Sequence, residues 1–306
     1  MIVGLGCIAY DRVLFTNELL QDGKGRIRRT ETRFGGNIRN ALTAAAGLGA
    51  STAYLATVSS DPEWDNVLAD LHDNLVSVEF TARTAGAHPA LSTIIVTGDG
   101  DRFIAYDDSS LAHTPLPDTA VVQGALAQAT VLIVDASTAP PGSLEVMSAA
   151  LSAGIPVVLD AEREVPGSDI VERMIALADH PTLPLGFARE STGHSSPIDI
   201  VDALWNNERA TVIVTDGPHG VFVRSRDMPV VERVPAFVVD AIDTVGCGDV
   251  FHGAYAVGLD RGMATLDRVR LANAAAAVVA ATPTGQSRIP SMTAVGQMLE
   301  SVPELG

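Results

Sequence analysis

Short apolar runs recur along the chain at residues 2–7, 52–57, 131–135, 155–160 and 211–215. Each is brief and nearly uniform in hydropathy, the pattern of a strand buried on both faces. Between them, apolar residues recur at helical spacing over 37–48, 62–71, 143–153, 170–178 and 197–206. Strand and helix alternating in this way predict an α/β fold, a doubly wound and mainly parallel sheet with helices on both faces. Ligands then bind at the carboxyl ends of the strands. Asp135, Asp160 and the Thr215-Asp216-Gly217 turn each close a predicted strand, so they fall at that edge.

Two stretches break the alternation. Residues 11–34 and 89–107 alternate apolar with polar positions around Gly23-Lys24-Gly25 and Gly98-Asp99-Gly100-Asp101, and both read as hairpins. The Ala- and Val-rich stretch 271–281 keeps helical spacing and reads as a core helix. Residues 1–9 are apolar but too few to span a bilayer and carry no basic leader, so they read as the first strand. No internal repeat or long linker interrupts the pattern, and residues 1–306 read as one domain.

With 47% hydrophobic residues in 306, the chain can bury a large core. A formal net charge of −17 argues against nucleic acid or an anionic membrane as partner, because both reward excess Lys and Arg. The two cysteines, Cys7 and Cys247, lie far apart in sequence, which suits free thiols and a reducing, cytoplasmic compartment.

The chemistry is densest at Asp243-Thr244-Val245-Gly246-Cys247-Gly248-Asp249, which runs straight into an apolar, Ala-rich helix. A turn built on Gly246 and Gly248 lets successive backbone N–H groups point one way, and the helix behind them adds the positive end of its dipole. Such a turn traps anions. Asp249 stands at its lip, where a carboxylate can take a proton from a hydroxyl while the amides hold the charge developing beside it. A bare Gly-x-Gly-Asp is usually only a capped loop, but the whole heptad resembles the signature of the ribokinase, or PfkB, family of carbohydrate kinases. That resemblance implies Asp249 as catalytic base and the amides of Gly246, Cys247 and Gly248 as the anion hole. Cys247 stands where the family usually has Ala, a change that a backbone hole tolerates.

A second segment carries the same resemblance. Gly35-Gly36-Asn37-Ile38-Arg39-Asn40-Ala41, followed by a helix ending near Leu48-Gly49, is similar to the family's N-terminal signature. It implies a sugar site at Gly35, Gly36 and Asn40, joined by Asp11 just after the first strand. Taken alone, Asp11 is a loop carboxylate that solvent would satisfy, although a carboxylate accepting vicinal hydroxyls is sound polyol chemistry. Thr215-Asp216-Gly217-Pro218-His219-Gly220 resembles the family's nucleotide loop, and its alternative reading is an ordinary hairpin turn. Asn273 and Thr282-Pro283-Thr284-Gly285 match the segment bordering adenine. The resemblance further implies ATP with Mg2+, a lid over the sugar made by 11–34 and 89–107, and a monovalent cation such as K+ at Asp243 and the carbonyl of Val245.

One family element is missing, since Pro184 and Phe187 occupy the positions of the usual Asn-x-x-Glu motif that orders water around Mg2+. Within the family, the stretch 157–189 looks most like the sulfofructose kinase and ketohexokinase branch. His252, three residues after Asp249, reads as a helix-face residue, and Lys24, Arg26, Arg28 and Arg29 read as a solvated strand face or as a grip for an anionic substrate group. The implied activity is phosphoryl transfer from ATP to a hydroxymethyl group of a small carbohydrate. Two alternatives remain at this level: a nucleoside kinase of the same fold, which the 5% of aromatic residues disfavours, and a non-catalytic sensor of sugar or nucleotide. A lid sheet with an open edge also suits pairing with a second copy, giving a homodimer.

Overall fold

The computed structural model describes residues 1–17, 25–85, 89–97, 102–107, 114–163, 165, 168–282 and 287–301. Its main sheet has nine strands: β1 (Ile2–Leu5), β4 (Thr52–Tyr54), β6 (Val76–Ser77), β10 (Val131–Asp135), β11 (Val157–Asp160), β12 (His180–Pro184), β13 (Thr211–Thr215), β14 (Val221–Ser225) and β15 (Met228–Val234). The order across it is β15-β14-β13-β12-β11-β10-β1-β4-β6. Pairing is parallel from β6 to β13 and antiparallel only at β13–β14 and β14–β15. The sheet is the doubly wound, mainly parallel one that the alternation predicts.

Period-two burial splits the core in two. Ile2, Ile133, Val158 and Ile213 face one layer, made by α1 (Asn37–Gly47), α2 (Pro62–Asp73), α8 (Cys247–Asp260), α9 (Thr265–Ala280) and α10 (Met292–Glu300). Val3, Leu132, Leu159 and Val212 face the other, made by α3 (Thr119–Gln128), α4 (Ser143–Ser152), α5 (Ile170–Leu177), α6 (Leu185–Thr192) and α7 (Pro197–Leu204). Both faces of the central strands are covered, which explains their unbroken apolar runs. Among the described residues, no helix is long and apolar enough to cross a membrane.

The alternating stretches form a separate four-stranded sheet, ordered β3 (Arg29–Gly35), β2 (Ala9–Phe15), β8 (Ala90–Val96) and β9 (Arg102–Asp107). Two antiparallel hairpins lie side by side, joined by parallel pairing of β2 with β8 from Ala9↔Ala90 to Phe15↔Val96. The centres of both predicted turns, Gly23-Lys24 and Gly98 to Asp101, fall outside the described residues. On β3, Arg29 pairs with Glu31 and lies over the ring of Phe15 at 3.7 Å, so that cation is spent within the sheet.

Three details differ from the sequence pattern. The run 52–57 bends at Leu55, and β5 (Ala56–Val58) leaves the main sheet to pair with β7 (Thr81–Arg83). Burial is continuous through the bend, so hydropathy cannot mark it. β12 is central although its sequence, His-Pro-Thr-Leu-Pro, holds two prolines, residues usually confined to sheet edges. The Thr215–Gly220 segment is a hairpin connection, with Thr215 opposite Val221.

Candidate active site

α8 begins where the chain turns left-handed at Gly246 (φ 77°), a conformation that glycine adopts without strain, and no side chain caps this end. The amide of Cys247 makes only a long 3.3 Å bond to the carbonyl of Thr244, and a Cβ placed on Gly248 would meet nothing within 4 Å. The helix therefore presents its positive end to open space. Asp249 lies in this first turn, half-buried, with its Oδ2 accepting a 2.8 Å hydrogen bond from Nδ2 of Asn40. Burial, and after it the charge of Asp160, pushes the Asp249 carboxyl up to about 7, against the pull of the Asn40 bond.

Asn40 reaches Asp249 because α1 and α8 cross backbone to backbone. A Cβ on Gly253 would collide with the carbonyl oxygen of Ala41, so only glycine lets the helices come this close. Arg39 grips Asp70 through a two-pronged bond of 2.9 and 3.0 Å and leans on Oδ1 of Asn40 at 3.4 Å, which turns the amide nitrogen toward Asp249.

At the start of α1, Gly36 (φ 92°) presses against the chain leaving β1, where a Cβ would sit 2.7 Å from the carbonyl oxygen of Cys7. Gly35 ends β3, and a Cβ on it would lie 2.7 Å from Oδ2 of Asp11. Asp11 thus lies inside β2 of the four-stranded sheet rather than in a loop after β1, and it accepts a hydrogen bond from the hydroxyl of Ser92. Burial raises its carboxyl, and the Ser92 bond opposes that rise. The structure brings Asp11, Gly35, Gly36, Asn40 and Asp249 together as one continuous wall.

Below that wall the main sheet contributes acids. Asp135 and Asp160 end adjacent strands in register, and burial lifts Asp135 to about 6 and Asp160 well above the usual carboxylate range. Asn37 donates 3.2 Å bonds to both Asp160 and Glu162. His252 is buried: it is 5% exposed, its Nδ1 lies 3.7 Å from Oδ2 of Asp160, and the backbone of Gly248 and of Thr182 lies beside its ring. Burial lowers its pKa and keeps the ring neutral.

On the far side, Thr215 closes β13 and Gly217–His219 makes one tight turn before Gly220 (φ 98°), which packs against the end of β15. Asn273, buried on α9, donates a 3.2 Å bond to the carbonyl of Pro235 and so fixes the chain leaving β15. Gly285 lies outside the described residues. Asp243 and Val245 meet Arg288, whose Nη2 donates 2.7 Å bonds to both of their carbonyl oxygens while Nη1 pairs with the Asp243 carboxylate. Pro184 ends β12 and Phe187 is buried in α6, so neither position offers a side-chain oxygen.

A family model described as pfkB family carbohydrate kinase matches residues 1–292. The chain belongs to that family. It is 28% identical over 262 residues to mouse ribokinase, covering 83% of this chain and 80% of the relative, and 26% identical over 287 residues to a rice fructokinase, covering 87% and 88%. The structure of Arabidopsis thaliana ribokinase complexed with ribose and ATP superposes with a TM-score of 0.83 at 20% identity, covering 98% of each chain. As a member of this kinase family the protein is a phosphotransferase with an alcohol acceptor.

The candidate site contains residues that the sequence motifs do not single out. Asn37 follows Gly36 directly, and Glu162 sits two residues beyond a strand-ending Asp160, so both carried a positional signal. For His252 the signal was incomplete, because a place three residues after Asp249 on an apolar helix does not reveal which strand lies beneath. Arg288 carried none, since its partners are more than forty positions away.

Proposed function

We propose that this kinase transfers the γ-phosphoryl group of ATP to a hydroxymethyl group of a small carbohydrate, with Asp249 as general base. The observation that carries the reading is the carboxylate of Asp249, aligned by Asn40 at 2.8 Å beside the uncapped start of α8. A base whose pKa is near 7 is well placed for a cell at neutral pH. Asp249 takes the proton of the sugar O–H, the sugar oxygen bonds to the γ-phosphorus, and the bond to the β–γ bridging oxygen breaks to leave ADP. The amides of Gly246, Cys247 and Gly248 and the α8 dipole balance the charge as it shifts.

Asp11 and Asn40 bind sugar hydroxyls, with the backbone at Gly35 and Gly36 closing against the ring. Thr215, Gly217, Gly220, Asn273 and, outside the described residues, Gly285 take the nucleotide. The sheet of β2, β3, β8 and β9 covers the sugar and keeps out water, which would otherwise accept the phosphoryl group. Among the described residues no three His, Cys, Asp or Glu side chains converge as metal ligands, and on this reading Mg2+ enters with the triphosphate whose charge it neutralises. The carbonyls of Asp243 and Val245 do not fit a free monovalent cation, because Arg288 already occupies them.

A panel of ketoses, aldoses, sugar phosphates and nucleosides, read out by ADP release, tests the proposal. Turnover of a free or phosphorylated sugar supports it. Turnover confined to nucleosides, or none on any member, contradicts it.

A further inference from the structure

The turn that feeds α8 is tied down by one side chain. Arg288 donates from Nη2 to the carbonyl oxygens of Asp243 and Val245, each at 2.7 Å, and pairs through Nη1 with the Asp243 carboxylate. The other oxygen of that carboxylate, Oδ1, accepts the Val245 amide at 2.9 Å, so Asp243 is engaged on both sides. Two carbonyls and a carboxylate converging on one point form a set of hard oxygen donors, the kind a monovalent cation takes. Here the point is filled by a guanidinium, three-quarters buried and permanently charged. The same group lies beside the Cys247 thiol and pulls its pKa down against the larger effect of burial.

We infer that Arg288 is the resident cation of this kinase, doing in the covalent chain what K+ or Na+ would do as a free ion. The loop 243–248 is therefore held, and its positive field maintained, without any monovalent salt. A second cation at the same oxygens would face the guanidinium charge at contact distance and lose its carbonyl ligands to bonds already made. Arg288 acts through the loop and touches neither sugar nor phosphate on this account. It is a positioning residue.

The test has two arms, of which only the activity arm rests on the kinase reading above. Wild-type protein is assayed for ADP release on a sugar it turns over, and separately melted, in KCl, NaCl or N-methyl-D-glucamine chloride at one ionic strength. The expected result is a rate constant to within about twofold and a melting temperature that does not depend on the cation, since no site is left for it to bind. Arg288→Gln, which empties the site and keeps the length of the stem, lowers kcat by about tenfold or more, acquires a K+-specific rise in melting temperature, and recovers rate with K+ or with millimolar guanidinium. Arg288→Lys, which keeps the charge but not the fork, falls between the two.

Several-fold stimulation of the wild type by K+ over N-methyl-D-glucamine overturns the inference, as does an Arg288→Gln protein that matches the wild type in rate and ignores every cation. Should Arg288→Gln fail to fold, the wild-type salt series decides the matter by itself. If no sugar is turned over at all, the sugar-phosphorylation proposal falls while the melting series still judges the role of Arg288.

Discussion

Nδ2 of Asn40 donates to Oδ2 of Asp249 across 2.8 Å, joining positions 209 residues apart. The bond links the start of α1, where Gly35 and Gly36 shape the proposed sugar wall, to the start of α8, where the proposed anion-binding turn lies. An N–H donor facing a carboxylate favours its ionised form, so the bond opposes the desolvation that raises the Asp249 pKa. One side chain therefore both holds the Asp249 carboxylate and tempers the rise that burial and the charge of Asp160 give its pKa.

Replacing that side chain separates the two effects. With the wild type, kcat/KM falls as one proton is taken up below about pH 7, because Asp249 must be ionised to accept the sugar proton. Asn40→Ala removes the interaction that lowers this pKa, so the acid limb moves to higher pH, and KM for the sugar rises as a hydroxyl partner is lost. A pH–rate series on both proteins checks this, and superimposed profiles would count against it.

The raised carboxyl also has a thermodynamic signature. The folded-state pKa of Asp249 lies above its unfolded value, so the native state binds more protons, and this group's contribution to stability declines as pH rises from about 4 to about 7. Asp249→Asn abolishes the decline. The melting temperature of the variant minus that of the wild type is expected to grow across this window and level off above it; a constant difference from pH 4.5 to 8 would contradict the assignment.

The crossing of α1 and α8 sets the distance on which everything above depends. Gly253→Ala puts a methyl group into the carbonyl oxygen of Ala41, and the helices must separate to admit it. Overpacking of this kind costs roughly 1–3 kcal/mol. Chemical denaturation measures the loss, and the accompanying fall in kcat is expected to exceed any change in nucleotide affinity, because the displaced contact is Asn40 with Asp249.

Much of this was legible in the residues. The runs ending at Asp135 and Asp160 announced a parallel sheet and placed two acids at the carboxyl ends of its strands, and the two glycine-bearing segments that carry the proposed site meet in the fold through Asn40 and Asp249. What stayed hidden depended on contacts that no local pattern encodes. β12 was obscured because Pro181 and Pro184 lack the N–H that marks a ladder strand, although parallel neighbours accept them in this register. His252 read only as a helix-face residue because helical spacing gives a direction and not the element met in that direction, here the end of β11. Arg288 could not be anticipated, since the loop oxygens it binds are brought to it only by the folded path of the chain.

The most direct measurement is the rate of ADP formation by Asp249→Asn on a sugar that the wild type phosphorylates, with folding verified by an unchanged far-ultraviolet spectrum. Loss of the proton acceptor is expected to lower kcat by about 10²-fold or more while ATP still binds. A variant that keeps its rate to within a few fold would show that Asp249 is not the base.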